Sequence, residues 1–399
     1  MAMKNIILFD DTATRDNLLP LTFTRPVADI RFGITTIAEK WQRAIPGQYS
    51  HLTVDYLQAK YPAIITDDSI FIAGHTCPDE VLVNAINSLS IGTALTCEGK
   101  LLAFRGSLDN FSRRNWSQET TFAGRPLAIN MLYDIFVLND KALHNDFISL
   151  TAGRKSLTLS KTNTVVGDMF FADGTPKIFI EEGATVEAAN LNVNNGPIYI
   201  GKDAEVMEGS CIRGPFALCN NGVVNMGARI YGATTIGPYC KVGGELNNVV
   251  MIAYSNKAHD GFLGNAVIGE WCNIGGGTTA SNLKNDYTEI KLWNYPAHRF
   301  LRTGLQFCGL IMGDHSKAGV NCMFNTATVV GVGVNIHGSG FPRNFVASFS
   351  EGSSAGFTDV SLAKFFDIAQ RMMARRNIEL TEVDREIFQS IYAIADTYK

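Results

Sequence analysis

The densest set of chemistry-bearing residues in this chain is a histidine followed by a glycine-rich stretch. Ser255-Asn256-Lys257-Ala258-His259-Asp260 is followed by Gly269-Glu270-Trp271-Cys272-Asn273-Ile274-Gly275-Gly276-Gly277-Thr278, then by Ser281-Asn282. Histidine titrates near neutral pH and is the side chain best suited to removing a proton there. An amine must lose a proton to attack a thioester, so one positioned imidazole suffices as general base for acyl transfer. The amides of Asn273 and Asn282 can orient an acceptor or the base. Backbone N–H groups of the glycine-rich stretch can receive a developing oxyanion. The bland alternative is a loop histidine that caps a turn.

A second set opens the chain: Leu8-Phe9-Asp10-Asp11-Thr12-Ala13-Thr14-Arg15, Leu18-Leu19-Pro20-Leu21-Thr22 and Arg25-Pro26. Arg15 and Arg25 follow the first apolar segment, where α/β sheets bind ligands, so both are candidate phosphate contacts. Asp10 and Asp11 would repel a triphosphate unless a cation lay between them. In the second half of the chain His298, His315 and His337 form no tight pair with one another or with His259, which argues against a metal site there.

The elements that must position these residues follow from one period. Every sixth residue from Ile200 to Val242 is apolar: Ile200, Val206, Ile212, Leu218, Val224, Ile230, Ile236 and Val242. No helix or ordinary strand has this period. A three-sided coil does, each face taking six residues and turning one side chain inward: the hexapeptide parallel β-helix. The phase extends back to Ile180 and Val186 and returns at Ile268 and Ile274, then at Met312, Ala318, Phe324, Val330 and Ile336. Polar residues break it at 254–265 and again at 279–309. The second break carries Trp293, Tyr295, His298, Arg299 and Arg302 and is a candidate binding surface.

Before the coil, segments alternate as strands and helices: strands at 5–9, 70–73 and 101–104, helices at 34–43 and 80–89. This is an α/β pattern. The tail is helical, with Leu362, Phe365, Phe366, Ala369, Met372 and Met373 on one face and a capping-box-like Thr381-Glu382-Val383-Asp384 opening a second helix. Packing across the end of the coil is its expected role. The division is therefore 1–160, 161–355 and 356–399.

The chain of 399 residues is 46% hydrophobic and 18% charged, with net charge −4, which gives no reason to expect nucleic acid as a partner. No apolar run is long enough for a membrane span, and the N-terminus does not read as a signal peptide. The eight cysteines include no Cys-x-x-Cys pair and read as reduced packing residues of a cytoplasmic protein.

The run Lys257-Ala258-His259, Leu263-Gly264-Asn265-Ala266-Val267-Ile268-Gly269, Asn273-Ile274-Gly275-Gly276-Gly277-Thr278 and Ser281-Asn282 resembles the acetyltransferase half of the bifunctional N-acetylglucosamine-1-phosphate uridyltransferase/glucosamine-1-phosphate acetyltransferase family. Thr14-Arg15 and Leu19-Pro20-Leu21-Thr22 resemble the opening of sugar-1-phosphate nucleotidyltransferases, with Asp10-Asp11-Thr12-Ala13 where that family has glycines. The resemblance implies an α/β nucleotidyltransferase-like domain, a left-handed β-helix and homotrimeric packing. It implies catalytic roles for His259 and Asn282, substrate contacts at Arg15, Arg25, Lys241, Lys257 and Asn273, and an acyl-CoA groove at Gly319, Asn321, His337 and Arg343. Where the family has a tyrosine three residues after its histidine, this chain has Phe262.

The expected activity is acyl transfer from acetyl-CoA to an amino sugar phosphate or amino sugar nucleotide, with sugar-1-phosphate nucleotidyl transfer and Mg²⁺ if the first domain is active. The rivals are a nucleotidyltransferase whose β-helix only oligomerises or regulates, a trimeric metal-dependent hydratase, and a sugar-nucleotide-binding scaffold.

Overall fold

The computed structural model describes residues 3–399. Contacts divide the chain into two compact units. One takes the residues up to Ile30, Thr35–Met131 and Glu382–Phe388; the other takes Arg31–Ile34, Leu132–Thr381 and Gln389–Lys399.

The first unit is built on six strands: β1 (Lys4–Phe9), β2 (Gly47–Leu52), β3 (Ser69–Ala73), β4 (Thr93–Cys97), β5 (Lys100–Gly106) and β6 (Gln118–Thr121). Their order is β2-β1-β3-β5-β4-β6. Strand β1 pairs parallel with β2 and β3, and β5 runs antiparallel to β3. Apolar residues of the inner strands form its core, with Ile7, Phe9, Phe71, Ala94 and Phe104 buried together and Phe111 stacked on Phe71 at 4.2 Å. The helix expected over 34–43 runs Ile37–Ala44. It starts later because Thr36 and Glu39 close a capping box, which fixes Thr36 outside the helix.

The second unit is the expected parallel β-helix. Every apolar position of the six-residue series, from Ile180 to Ile336, lies in its buried core. The breaks behave differently from expectation. Residues 254–265 do not leave the coil: Asn256–Lys257 pairs with Lys241–Val242, and the strand Phe262–Glu270 pairs along Glu245–Ala253. Those two nine-residue strands each run through a corner, with Asn248 and Asn265 in the left-handed region at the bend. The second break does leave the coil. It forms the hairpin Lys291–Asn294 and Arg299–Arg302, but Trp293 stacks on Phe345 at 4.2 Å and Tyr295 is buried. Those two aromatics therefore cover the coil rather than open a surface.

Helix Asn139–Thr151 belongs to this unit. Its Leu143 and Phe147 bury against Phe179, Tyr199, Ala217 and Cys219 on the coil, and Asn139 Nδ2 donates to Ala233 O at 2.8 Å. The boundary expected near residue 160 thus falls inside the unit.

One corner of the coil carries residues in the left-handed region on successive turns: Asp203, Asn221, Tyr239, Tyr254, Trp271, His315, Gly333 and Phe349. Tyr239, Tyr254 and Trp271 stack in sequence at 5.2 and 4.3 Å. Gly333 interrupts the aromatic run. The ring of Phe365, from helix Leu362–Ala374, occupies the space, and a Cβ on Gly333 would lie 2.9 Å from it. Phe365 also packs edge-on against Phe349 at 5.1 Å. The tail helix lies along the flank of the coil rather than only across its end.

Candidate active site

A second corner column brings the histidine to the glycines. The chain turns at Gly244 and Gly277, whose φ values of +71° and +72° are strained for any side-chain-bearing residue. Gly277 N–H donates to Asp260 O at 2.9 Å, tying the two turns together. A Cβ built on Gly276 would lie 3.4 Å from His259 Cβ and 3.8 Å from its Cδ2, so the glycine leaves room for the ring. His259 is exposed and its imidazole makes no hydrogen bond within the chain. The expectation of several free N–H groups is narrowed here. Gly275, Gly277 and Thr278 donate to Ala318 O, Asp260 O and Gly275 O, while the N–H of Gly276 makes no bond within the chain. An exposed imidazole and an unbonded backbone N–H therefore lie at one corner.

The acyl-CoA candidates fall along the same edge. A Cβ on Gly275 would meet the Gly319 carbonyl carbon at 2.5 Å, one on Gly277 would meet the Asn321 amide, and one on Gly319 would lie 3.7 Å from His337 Cβ. Gly319, Asn321 and His337 thus succeed Gly275–Gly277 turn by turn. Arg343 is exposed in the connection that follows His337. Strands of a sheet are about 4.8 Å apart, so this edge offers an extended track beside the base.

Lys241 and Asn273 share the face that leads into the corner. The register runs Lys241, Asn256, Asn273, Lys317, Asn335 and Glu351, beside the inward column Val242, Lys257, Ile274, Ala318, Ile336 and Gly352. Asn282 is not brought to His259. Its Nδ2 donates to Asn265 Oδ1 at 2.7 Å, at the bend within the strand Phe262–Glu270 that begins just after the histidine. Three extended steps, about 10 Å, separate Phe262 from Asn265.

Lys257 is a correction. Expected at the substrate, it is 1% exposed and occupies the inward column between Val242 and Ile274. Its Nζ donates to Gly243 O at 3.1 Å and to His259 O. Burial lowers its pKa to about 8.

Arg15 and Arg25, the expected phosphate contacts, are both buried, 6% and 3% exposed. Arg15 Nη2 donates to Thr22 O at 3.0 Å and to the Tyr56 hydroxyl at 2.8 Å, and Nη1 pairs with Asp16 at 2.9 Å. The segment that replaces the family's glycines is not an open cradle: Asp11 caps a short helix, Thr12–Asn17, by accepting from Thr14 N–H.

These residues do not fit Mg²⁺. Asp10 Oδ1 accepts from Val27 N–H and Oδ2 from the Thr53 hydroxyl, and burial raises its pKa. Each oxygen already accepts a hydrogen bond within the unit and burial disfavours the charged form, whereas magnesium is held by ionised carboxylates. Among the described residues no cluster of three His, Cys, Asp or Glu could hold a metal. All eight cysteines are free thiols. Most are buried, as expected of packing residues, but Cys211 is exposed. No helix among the described residues is long and apolar enough to cross a membrane.

The fold pairs a mixed α/β sheet unit with a parallel β-helix bearing an exposed histidine at a glycine corner. Residues 6–155 match the family model described as sugar nucleotidyl transferase. The chain is 27% identical over 144 residues to the bifunctional sugar-1-phosphate nucleotidylyltransferase/acetyltransferase of Sulfurisphaera tokodaii, covering 36% of this chain and 35% of that protein. It is 26% identical over 172 residues to the bifunctional protein GlmU of Wolbachia pipientis, covering 38% of this chain and 40% of that one. The matches therefore span well under half the length of these relatives. Among solved structures, the Francisella novicida UDP-N-acetylglucosamine acyltransferase aligns with 61% of this chain and 76% of its own at 12% identity and a TM-score of 0.29.

Proposed function

We propose that this protein is an acyltransferase of sugar-nucleotide metabolism, cytosolic and trimeric, that moves an acyl group from acyl-CoA to the amine of an amino sugar phosphate or amino sugar nucleotide. The observation that carries the reading is the pairing of an unbonded His259 imidazole with an unbonded Gly276 N–H at one exposed corner. His259 takes a proton from the acceptor amine, whose nitrogen then attacks the thioester carbonyl carbon. The Gly276 N–H donates to the oxygen as negative charge develops on it. The C–S bond breaks, and the thiolate leaves and is protonated. The acyl-CoA lies along Gly319, Asn321, His337 and Arg343, with acetyl-CoA the donor the sequence resemblance implies. Asn273 and Lys241 contact the acceptor, and Asn282 orients it from a neighbouring subunit's groove. Three-fold packing of flat-sided coils creates that groove.

The first unit keeps a nucleotidyltransferase-like fold, but the proposal assigns it no nucleotidyl transfer and no Mg²⁺, because Arg15 and Asp10 are held by hydrogen bonds within that unit.

The test is release of free thiol from acetyl-CoA with a panel of amino sugar phosphates and amino sugar nucleotides. Removing a general base typically costs 10² to 10⁴ in rate, so His259→Ala should lower kcat by about that factor and leave acyl-CoA binding intact. A variant that matches the wild type would overturn the mechanism. Turnover of UTP and a sugar-1-phosphate, with no acceptor acylated, would replace it with nucleotidyl transfer.

A further inference from the structure

The inward column beneath the corner reads Val206, Val224, Val242, Lys257, then Ile274, Ala318 and Ile336. Lys257 is its one charged residue. A charge in an apolar column is costly unless it is well partnered. The partners here are specific. The lysine Nζ donates to the carbonyl oxygens of Gly243 and His259. No backbone N–H bonds either carbonyl. The turn from Val242 to Lys257 takes 15 residues and the next, from Lys257 to Ile274, takes 17, where the regular coil takes 18, as from Val206 to Val224. Two carbonyls of this shortened turn are not reached by the ladder, and the ammonium reaches them from inside.

We propose that Lys257 is the positioning residue of this site: by holding the carbonyls of Gly243 and His259 from within the coil, it fixes the backbone from which the imidazole faces Gly276. It touches no substrate. The inference rests on His259 being the general base. Desolvation weakens the charge on Lys257, and Asp260 and Arg229 are the charged neighbours that act on it, the first favouring the ammonium and the second opposing it.

Lys257→Met preserves length and apolar bulk, and Lys257→Ile installs the residue type of the adjoining turns. Both should fold, with melting temperatures equal to or above that of the wild type. Both should lose about ten-fold or more in kcat, because a base displaced by a fraction of an ångström transfers protons poorly. KM for acetyl-CoA should not change. In a His259→Ala background the same substitutions should cost nothing further, since residues acting as a unit are not additive. A folded Lys257 variant with wild-type kcat overturns the proposal, as does a full additional loss in the double variant. If neither variant folds, Lys257 is a structural residue and the proposal is also overturned. Failure of His259→Ala to slow the reaction is a separate result and removes the base itself.

Discussion

Gly276 stands against the imidazole of His259, where a Cβ would come within 3.4 Å of the histidine Cβ. The glycine is not required by its backbone, since its φ is not in the left-handed region. Space is the reason for it. Gly276→Ala should therefore be tolerated, whereas the methyl groups of Gly276→Val would enter the volume of the ring. We expect Gly276→Val to fold, by circular dichroism, and to lose at least about ten-fold in thiol release, the scale of a misplaced catalytic group.

The buried lysine ties stability to alkaline pH. Its folded pKa, about 8, lies below the ordinary lysine value of 10.5, so between these pH values the unfolded chain binds more protons and stability rises with pH. Below pH 8 the full penalty is present, with an upper bound of roughly 3 kcal/mol for a shift of this size. Lys257→Met should thus be more stable than the wild type at pH 7, with the advantage fading as pH approaches 10.5. Urea unfolding at the two pH values measures this. An equal difference at both would mean that the carbonyl bonds, not the charge, dominate.

Arg15→Ala should destabilise the first unit. A buried hydrogen bond to Thr22 O and a partly buried one to the Tyr56 hydroxyl would lose their donor. Leaving buried acceptors unmet costs about 1 to 3 kcal/mol. Thermal unfolding should shift downward, while UTP affinity measured below the transition should not depend on this guanidinium.

Light scattering at micromolar concentration should give three times the chain mass. Mixing inactive His259→Ala chains with inactive Asn282→Ala chains should restore activity, because Asn282 bonds Asn265 rather than His259 in its own chain, and in the proposed trimer it acts from a neighbouring subunit. A monomer in the first measurement, or no recovery in the second, would contradict the assembly.

Much of this was legible in the residues. The six-residue period found the coil because inward positions are apolar without exception through Val242, and the structure buries all of them. The same period misplaced Lys257, since the shortened turn moved the inward position off phase and made 254–265 look like an excursion. His259 beside Gly276 was readable from type and spacing. The separation of Asn282 was not, because it depends on which corner each residue occupies. Arg15 and Arg25 looked like phosphate ligands, but sequence alone does not distinguish an arginine facing solvent from one bonded to Thr22 O and Tyr56. The Asp10-Asp11 pair looked like a cation site, while the carboxylates serve as a backbone anchor and a helix cap.

Gly333 gives the tail something an unbroken aromatic column would deny it: a single notch. The Phe365 ring fits where one corner side chain is missing. A helix sliding by one turn along the coil would drive that ring into Phe349 on one side or His315 on the other. The helix has one seat, and the glycine is its address. Filling the notch from the coil's own side, by Gly333→Phe, would evict the tail while completing the stack, so that a residue added to one element would be read out as the release of another.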